Sequence, residues 1–167
     1  MIFRRDSSNE RYCTTRFSAD NYKRLLPFLD AVDEQPEAKH FRFTSGGYMP
    51  LVIENLEYTF RGYPVYSMTH YGELNGDPMR DPDMTFWVDR KHGHVIPLSF
   101  QQDNDPFVGT RYQQVFVDEE HYYKSLASEL DRFLRLWSKN ILDQGFSPGQ
   151  ARAGEVTPEQ FAAAVEG

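Results

Sequence analysis

The sequence predicts an α+β domain, in which an antiparallel five- to six-stranded meander sheet is packed by an N-terminal helix and a long C-terminal helix. Three features predict this class: an apolar stripe at helical spacing between residues 19 and 32, six short β-type runs between residues 38 and 118, and a longer helical stripe after residue 119. The length of 167 residues suits one domain with one hydrophobic core.

The first helix is predicted to begin after Ser18, whose hydroxyl can accept a hydrogen bond from a backbone N–H of the first turn. Proline removes a backbone donor and crowds the preceding turn, so the helix is expected to kink at Pro27 or to restart with Pro27 in its first turn. The helix runs to Val32, and its apolar side chains share one face: Tyr22, Leu25, Leu26, Leu29 and Val32.

Six candidate strands follow, rich in Val, Ile, Thr, Phe and Tyr and bounded by Gly, Pro, Asn and Asp. The connections are mostly short, and a parallel pair needs a crossover of about a dozen residues, so neighbouring strands are predicted to be antiparallel. Gly62 and Gly93 can supply the positive φ that a tight hairpin requires. The predicted strands are Lys39–Phe43, Leu51–Thr59, Pro64–Tyr71, Met84–Arg90, His94–Gln101 and Tyr112–Val117.

The long helix is predicted from Glu119 to Gln144, with Gly145 as its C-terminal cap. Its apolar stripe consists of Leu126, Leu130, Phe133, Leu134, Trp137 and Ile141. The predicted organisation is therefore an arm or edge strand at residues 1–17, a single domain at 18–146, a flexible linker at 147–156, and a short C-terminal helix or mobile tail at 157–167.

Charge and composition narrow the classes of function. A net charge of −7 and a pI near 5.2 argue against non-specific nucleic-acid binding, which depends on Lys and Arg neutralising phosphates. No run is apolar enough for a membrane span, and the start lacks the features of a secretory signal. The single cysteine, Cys13, has no intramolecular partner, so a reducing cytoplasm is expected.

One stretch stands out, the polar segment at residues 70–83, which is predicted to be a long loop between two strands. Loops rich in His, Glu, Asn, Asp and Arg often carry binding groups. The sequence leaves three interpretations open: Asp-Pro turns whose carboxylates accept local N–H groups, a binding surface, and a metal site. A second acidic loop is predicted at Asp103–Asp105.

Several other patterns fail as motifs. No Walker loop, no Gly-x-Gly-x-x-Gly and no His-Glu-x-x-His occurs, so no catalytic residue, cofactor or metal is assigned. His92 and His94 flank a turn glycine and are interpreted as turn histidines. Five aromatic residues could stack on nucleotide bases, although core packing is the simpler interpretation: Tyr71, Phe86, Trp87, Phe100 and Phe107.

The residues Pro50–Glu54, the polar segment, Ile96–Phe100, Tyr112–Phe116 and Asn140–Phe146 carry a resemblance. Through them the chain resembles an uncharacterised domain family that is frequent on phages, conjugative plasmids and other mobile elements. A more distant resemblance, through Asn21–Leu26, Glu57–Thr59 and Leu130–Trp137, is to a second uncharacterised family of small bacterial proteins. The first resemblance implies a setting in which small acidic proteins block host defences.

The expected function is a non-enzymatic acidic interaction protein of a mobile element. It would inhibit a host defence system, as an anti-CRISPR or antirestriction protein, by binding a basic surface of a protein partner. One alternative is a metal-dependent hydrolase centred on His70, Glu73 and Asp77; another is a single-stranded nucleic-acid binder that uses the sheet aromatics. The expected partner-binding residues are His70, Tyr71, Glu73, Asn75, Asp77, Arg80, Asp81, Asp83, Asp103 and Asp105.

Overall fold

A computed structural model describes residues 5–6, 17–36, 38, 40–74, 77–105 and 109–154. The elements in chain order are β1 (Arg5–Asp6), α1 (Ala19–Asp33), β2 (His40–Phe43), β3 (Leu51–Phe60), β4 (Tyr63–Leu74), β5 (Asp77–Asp89), β6 (His94–Asp105), β7 (Gly109–Gln114), β8 (Tyr122–Tyr123), α2 (Lys124–Asp143), a 3-10 turn (Pro148–Gln150) and β9 (Arg152–Gly154).

The predicted α+β class and antiparallel meander are confirmed. Strands β2 to β7 lie side by side in chain order, and every neighbouring pair is antiparallel. In the described part of the chain, β9 joins the sheet outside β2, with Arg152 opposite Arg42. The stretch predicted as a flexible linker therefore contains a 3-10 turn and a paired strand. Strands β1 and β8 form a separate two-stranded ladder.

Both helices cover one face of the sheet, which we call the helix face. Tyr66, Met68 and His70 alternate along β4 on this face. The Tyr66 hydroxyl donates to Asp33 in α1, and His70 lies against Trp137 in α2. The main hydrophobic core includes Tyr66, Met68 and Trp137 together with Leu51, Ile53, Met84, Phe86, Leu130, Leu134 and Ile141, all of them buried.

Helix α1 has its predicted start and N-cap, with Ser18 accepting from the N–H of Asp20. The predicted restart at Pro27 is wrong, because Pro27 lies inside a continuous helix from Ala19 to Asp33. Helix α2 begins five residues later than predicted, because the chain before it is occupied by a turn and a strand. The Asp118 carboxylate accepts from the N–H groups of Glu120 and His121, and Tyr122 pairs in β8. Gly145 follows the end of α2 with φ 89°, as its predicted role as a cap requires.

A polar cluster joins the two helices. The Oδ1 atom of Asp131 in α2 accepts from the Ser18 N–H at 3.0 Å and from the Asn21 side-chain amide at 3.2 Å. The Ser138 hydroxyl donates to Asn21 Oδ1. Asn21, Asp131 and Ser138 are buried, and burial raises the pKa of Asp131 despite these bonds. The cluster fixes how α1 and α2 pack.

The prediction that residues 70–83 form a loop is wrong. Strand β4 continues to Leu74 and β5 begins at Asp77, so most of the polar segment pairs across a long hairpin, with Glu73 opposite Pro78. The ladder shifts register between Thr69 and Tyr71, and a bulge of this kind accommodates proline in a strand. The second predicted acidic loop is likewise the end of β6.

Candidate binding groove on the open face of the sheet

The predicted site residues that the structure describes do not converge on one point. His70 faces the helices: it is 8% exposed, its Nδ1 atom lies 3.1 Å from the carbonyl oxygen of Met49, and its ring contacts Trp137 and Phe146. Burial lowers the pKa of His70. The neutral, packed ring is a structural residue of the helix face rather than an exposed contact.

The acidic side chains of the polar segment and of β6 are engaged within the sheet. Asp81 accepts from the Gln102 amide at 2.7 Å, and Asp83 accepts from the Thr69 hydroxyl at 2.9 Å. Asp103 accepts from the backbone N–H of Arg80 at 3.0 Å and from its guanidinium. These three carboxylates lie on paired strands rather than on loops, and each accepts a hydrogen bond from a neighbouring strand.

The remaining predicted residues divide into two groups. Tyr71 is buried against Val52, away from the helices. Asn75 lies outside the described residues, and so do the side chains of Glu73, Asp77 and Asp105, although their backbones belong to strands.

The face of the sheet opposite the helices, which we call the open face, carries two rows of side chains across neighbouring strands. Pairing of β3 to β7 aligns the first row as Glu54, Ser67, Thr85, Ser99 and Gln114, and the second row as Val52, Thr69, Asp83, Gln101 and Tyr112. The Thr85 and Ser99 hydroxyls are hydrogen-bonded to each other. Neither described helix packs on these rows, which form a polar floor.

A groove of about 330 Å³ lies on this floor. Thr85, Ser99, Asp83, Gln101 and Gln114 supply its polar lining. One end is apolar, because Phe60 and Phe116 line it and their ring centroids lie 4.9 Å apart. The groove therefore offers hydroxyl, amide and carboxylate groups beside an aromatic wall.

Two exposed tyrosines flank the groove. Tyr58 is 52% exposed and Tyr112 is 60% exposed, and both line the cavity. Tyr58 comes from β3, where the ladder to β4 shifts register between Asn55 and Thr59 and Glu57 has φ 61°. This bulge turns the end of β3 over the open face, toward Tyr112 on β7. Burial and the nearby Tyr112 hydroxyl raise the pKa of Tyr58.

An ion pair borders the groove on the side of Gln101. The guanidinium of Arg80 lies 3.1 Å from Asp103, and the Gln101 amide, turned so that its oxygen faces Arg80, accepts from it at 2.7 Å. Burial opposes ionisation of Asp103, but the N–H and guanidinium of Arg80 outweigh it and hold the pKa of Asp103 below its usual value. The pair is charged at neutral pH and fixes the position of Gln101.

A family model described as Domain of unknown function (DUF6908) matches residues 20–147. The chain belongs to this family. The expected membership of a family without an assigned function is thereby confirmed. No curated protein and no solved structure matches the chain, so the activity of this DUF6908 domain has to be argued from its own residues.

The metal-site alternative depends on residues that the described part of the DUF6908 domain contains only in part, since the side chains of Glu73 and Asp77 lie outside it. No three His, Cys, Asp or Glu residues come together there as metal ligands would, and His70 faces away from the groove. Phe86, Trp87 and Phe100 are buried and cannot stack on bases; Phe107 lies outside the described residues, as does Cys13. Neither described helix has the length and apolarity of a membrane span.

A second cavity of about 320 Å³ lies where α1 ends against β2 and β3. Its lining includes Asp33, whose carboxylate already accepts from Tyr66, Asn55 and Arg90. Burial and the bond to Asp33 raise the pKa of Tyr66 to about 12. These contacts hold α1 on the sheet, so we interpret this cavity of the DUF6908 domain as structural.

Of the residues that line the groove, the sequence predicted a partner-binding role for Asp83 but not for Tyr58, Tyr112 and Gln114. The alternation of polar and apolar residues in the strands was a usable sign, since every second residue of a half-buried strand faces the same side. No feature of the sequence indicated the bulge that places Tyr58 over the sheet.

Proposed function

We propose that this chain is a non-enzymatic interaction protein that binds a basic surface of a partner protein through the groove on its open face. The observation that carries the proposal is the pair of exposed tyrosines, Tyr58 and Tyr112, beside the Asp83 carboxylate on a face that neither described helix covers. Tyrosine gives a large contact area at low entropic cost and is enriched at protein interfaces.

Charge supports a basic partner. The open face carries three acidic residues, Glu54, Asp83 and Asp103. It also carries Arg80, which is paired with Asp103, and Arg42 and Arg152 at the β2–β9 edge. The whole chain has a net charge of −7. A negatively charged protein attracts a Lys- and Arg-rich surface, and this attraction raises the rate of encounter at low salt.

The narrower proposal is that the partner belongs to a host defence system, such as a restriction or CRISPR effector, and that the protein acts from a mobile element. Its support is the resemblance of the sequence to a family frequent on such elements, together with the acidity. Effectors of this kind hold nucleic acid on basic surfaces, and an acidic protein that occupies such a surface would compete with the nucleic acid.

A charge-matched pair of variants tests the role of the open face. The probe is a labelled basic peptide containing both Arg and Lys, and binding is followed by fluorescence anisotropy at several salt concentrations. Asp83→Asn removes one negative charge from the groove, and Glu34→Gln removes one from the exposed end of α1. We expect Asp83→Asn to weaken binding several-fold more than Glu34→Gln.

Equal weakening by the two variants would contradict the proposal, because attraction would then depend on net charge alone. The defence proposal has its own assay: the efficiency of phage infection in cells that carry a restriction or CRISPR system. We expect the wild-type protein to raise this efficiency and Tyr58→Ala/Tyr112→Ala to raise it less. No increase with any system would contradict this narrower proposal while leaving the peptide result intact.

A further inference from the structure

We infer that the groove accepts one arginine side chain of the partner, with the guanidinium plane against the rings of Tyr58 and Tyr112 and its N–H groups directed to the floor. This inference rests on the proposed function and extends it, because it names which basic side chain the groove distinguishes. A lysine of the same charge would bind less well.

The position of the two rings is the first argument. Tyr58 and Tyr112 come from strands separated by three others in the sheet order, yet both line the same groove. Each ring is more than half exposed, at 52% and 60%. A cation attracted by an aromatic ring must lie within about 6 Å of the ring centroid, and a flat side chain in this groove would be bordered by both tyrosines.

The chemistry of the floor is the second argument. Asp83, Gln114 and Ser99 supply carboxylate, amide and hydroxyl oxygens along the groove, whereas the Gln101 oxygen is turned toward Arg80. Guanidinium presents five N–H donors in one plane, whereas the lysine ammonium is a compact, strongly hydrated point charge with three donors. Several acceptors spread along a floor therefore suit arginine better than lysine.

Size and charge argue against the other occupants. The volume of about 330 Å³ is at the lower end of the range for ligand pockets, about 300–1,000 Å³, and leaves room for an arginine side chain. A nucleotide base could also stack on the tyrosines, but its phosphates would approach Glu54 and Asp83, which lie on the same face. The arginine of a basic protein would instead be attracted by the Asp83 carboxylate that lines the groove.

The test compares hexa-arginine with hexa-lysine, which carry the same charge. Affinity is measured by calorimetry at low salt for the wild-type protein, Tyr58→Ala, Tyr112→Ala and Tyr112→Phe. We expect hexa-arginine to bind more tightly to the wild type. Each alanine variant should weaken hexa-arginine about two- to fivefold, the usual size of an exposed cation–π contact, and should change hexa-lysine binding little, whereas Tyr112→Phe should retain the preference.

A matched control is Tyr48→Ala. Tyr48 is 53% exposed and lies between β2 and β3, where it does not line the groove. Its replacement should leave both affinities unchanged. Thermal melting of every variant separates a loss of binding from a loss of folding.

The outcomes separate the inference from the proposed function. Equal affinity for the two peptides, with the tyrosine variants like the wild type, would overturn the arginine preference; the proposed function would survive if Asp83→Asn still weakens both peptides. Binding of neither peptide would overturn both. Tight binding of an oligothymidylate that is lost in the tyrosine variants would overturn the inference in favour of nucleic acid.

Discussion

The Asp131 cluster between the helices gives a prediction in which charge and hydrogen bonding can be separated. Asp131 is 7% exposed, and its Oδ1 atom accepts from both the Ser18 N–H and the Asn21 amide. Asparagine keeps an acceptor oxygen at this position and removes the charge. Alanine removes both.

The structure gives the expected size of each effect. Asp131→Ala leaves the Ser18 N–H without an acceptor, whereas the Asn21 amide keeps the backbone carbonyl of residue 131. A buried unsatisfied group costs about 1–3 kcal/mol, so we expect a loss of about 1–3 kcal/mol in the free energy of unfolding. Asp131→Asn should stay within about 1 kcal/mol of the wild type at neutral pH, since both hydrogen bonds can be kept.

The pH dependence has a definite sign. Burial raises the pKa of Asp131 in the folded state above its ordinary value of 3.8. In the pH interval between 3.8 and the raised pKa, the folded state therefore holds a proton that the unfolded state has lost. The stability that Asp131 contributes is thus fully present below 3.8 and falls as the pH rises through the raised pKa. The asparagine variant should therefore gain on the wild type as the pH rises through that interval and keep a constant difference above it.

Urea unfolding at several pH values measures these free energies. Asp143→Ala is the control, because Asp143 lies on the same helix in an exposed pair with Lys139 and should change stability by less than about 0.5 kcal/mol. If Asp131→Asn were as unstable as Asp131→Ala, the carboxylate charge rather than the acceptor oxygen would hold the helices together, and the reasoning would fail.

Three further predictions concern the core, the histidine and the ion pair. Leu134→Ala should lower the free energy of unfolding by about 2–5 kcal/mol, because Leu134 is fully buried. Leu136→Ala, on the exposed side of α2, should change it by less than about 0.5 kcal/mol. Equal losses for the two variants in urea unfolding would contradict the orientation of the helix. The His70 ring should titrate with a pKa below its ordinary value of 6.5 in an NMR pH series. The stability due to the neutral, buried ring is therefore present above pH 6.5 and is lost as the pH falls through the lowered pKa. A titration midpoint at or above 6.5 would refute the burial of His70. Arg80→Ala should lower the free energy of unfolding by about 1 kcal/mol at neutral pH. The loss should be smaller in acid, because the pKa of Asp103 lies below 3.8 and the stability due to the ion pair is lost as the pH falls through that pKa. A difference between variant and wild type that does not change with pH would argue against the ion pair.

The elements with strong periodicity were predictable from sequence. The apolar stripe from Leu126 to Ile141 gave α2 its buried face, and Gly93 gave the hairpin between β5 and β6 its turn, where it has φ 75°. Such patterns depend on neighbours in sequence, so local chemistry suffices to predict them.

The predictions from sequence were wrong where residues distant in the chain determine the local structure. Asp77-Pro78 and Asp81-Pro82 favour turns locally, but pairing with β4 makes them part of a strand, since tertiary context overrides strand propensity. The same applies to the groove: Asp83, Gln101 and Tyr112 become neighbours only when three strands align. Sequence spacing cannot reveal a cross-strand row before the register of the sheet is known.

The pairing of β9 with β2 has a practical consequence for how this domain can be shortened. The family match ends at residue 147, but Arg152–Gly154 hydrogen-bond to His40–Arg42. A chain cut at the end of the match would leave one side of β2 with bare N–H and C=O groups. Such an edge can recruit a strand from another molecule, so the trimmed protein should self-associate more strongly than the longer one.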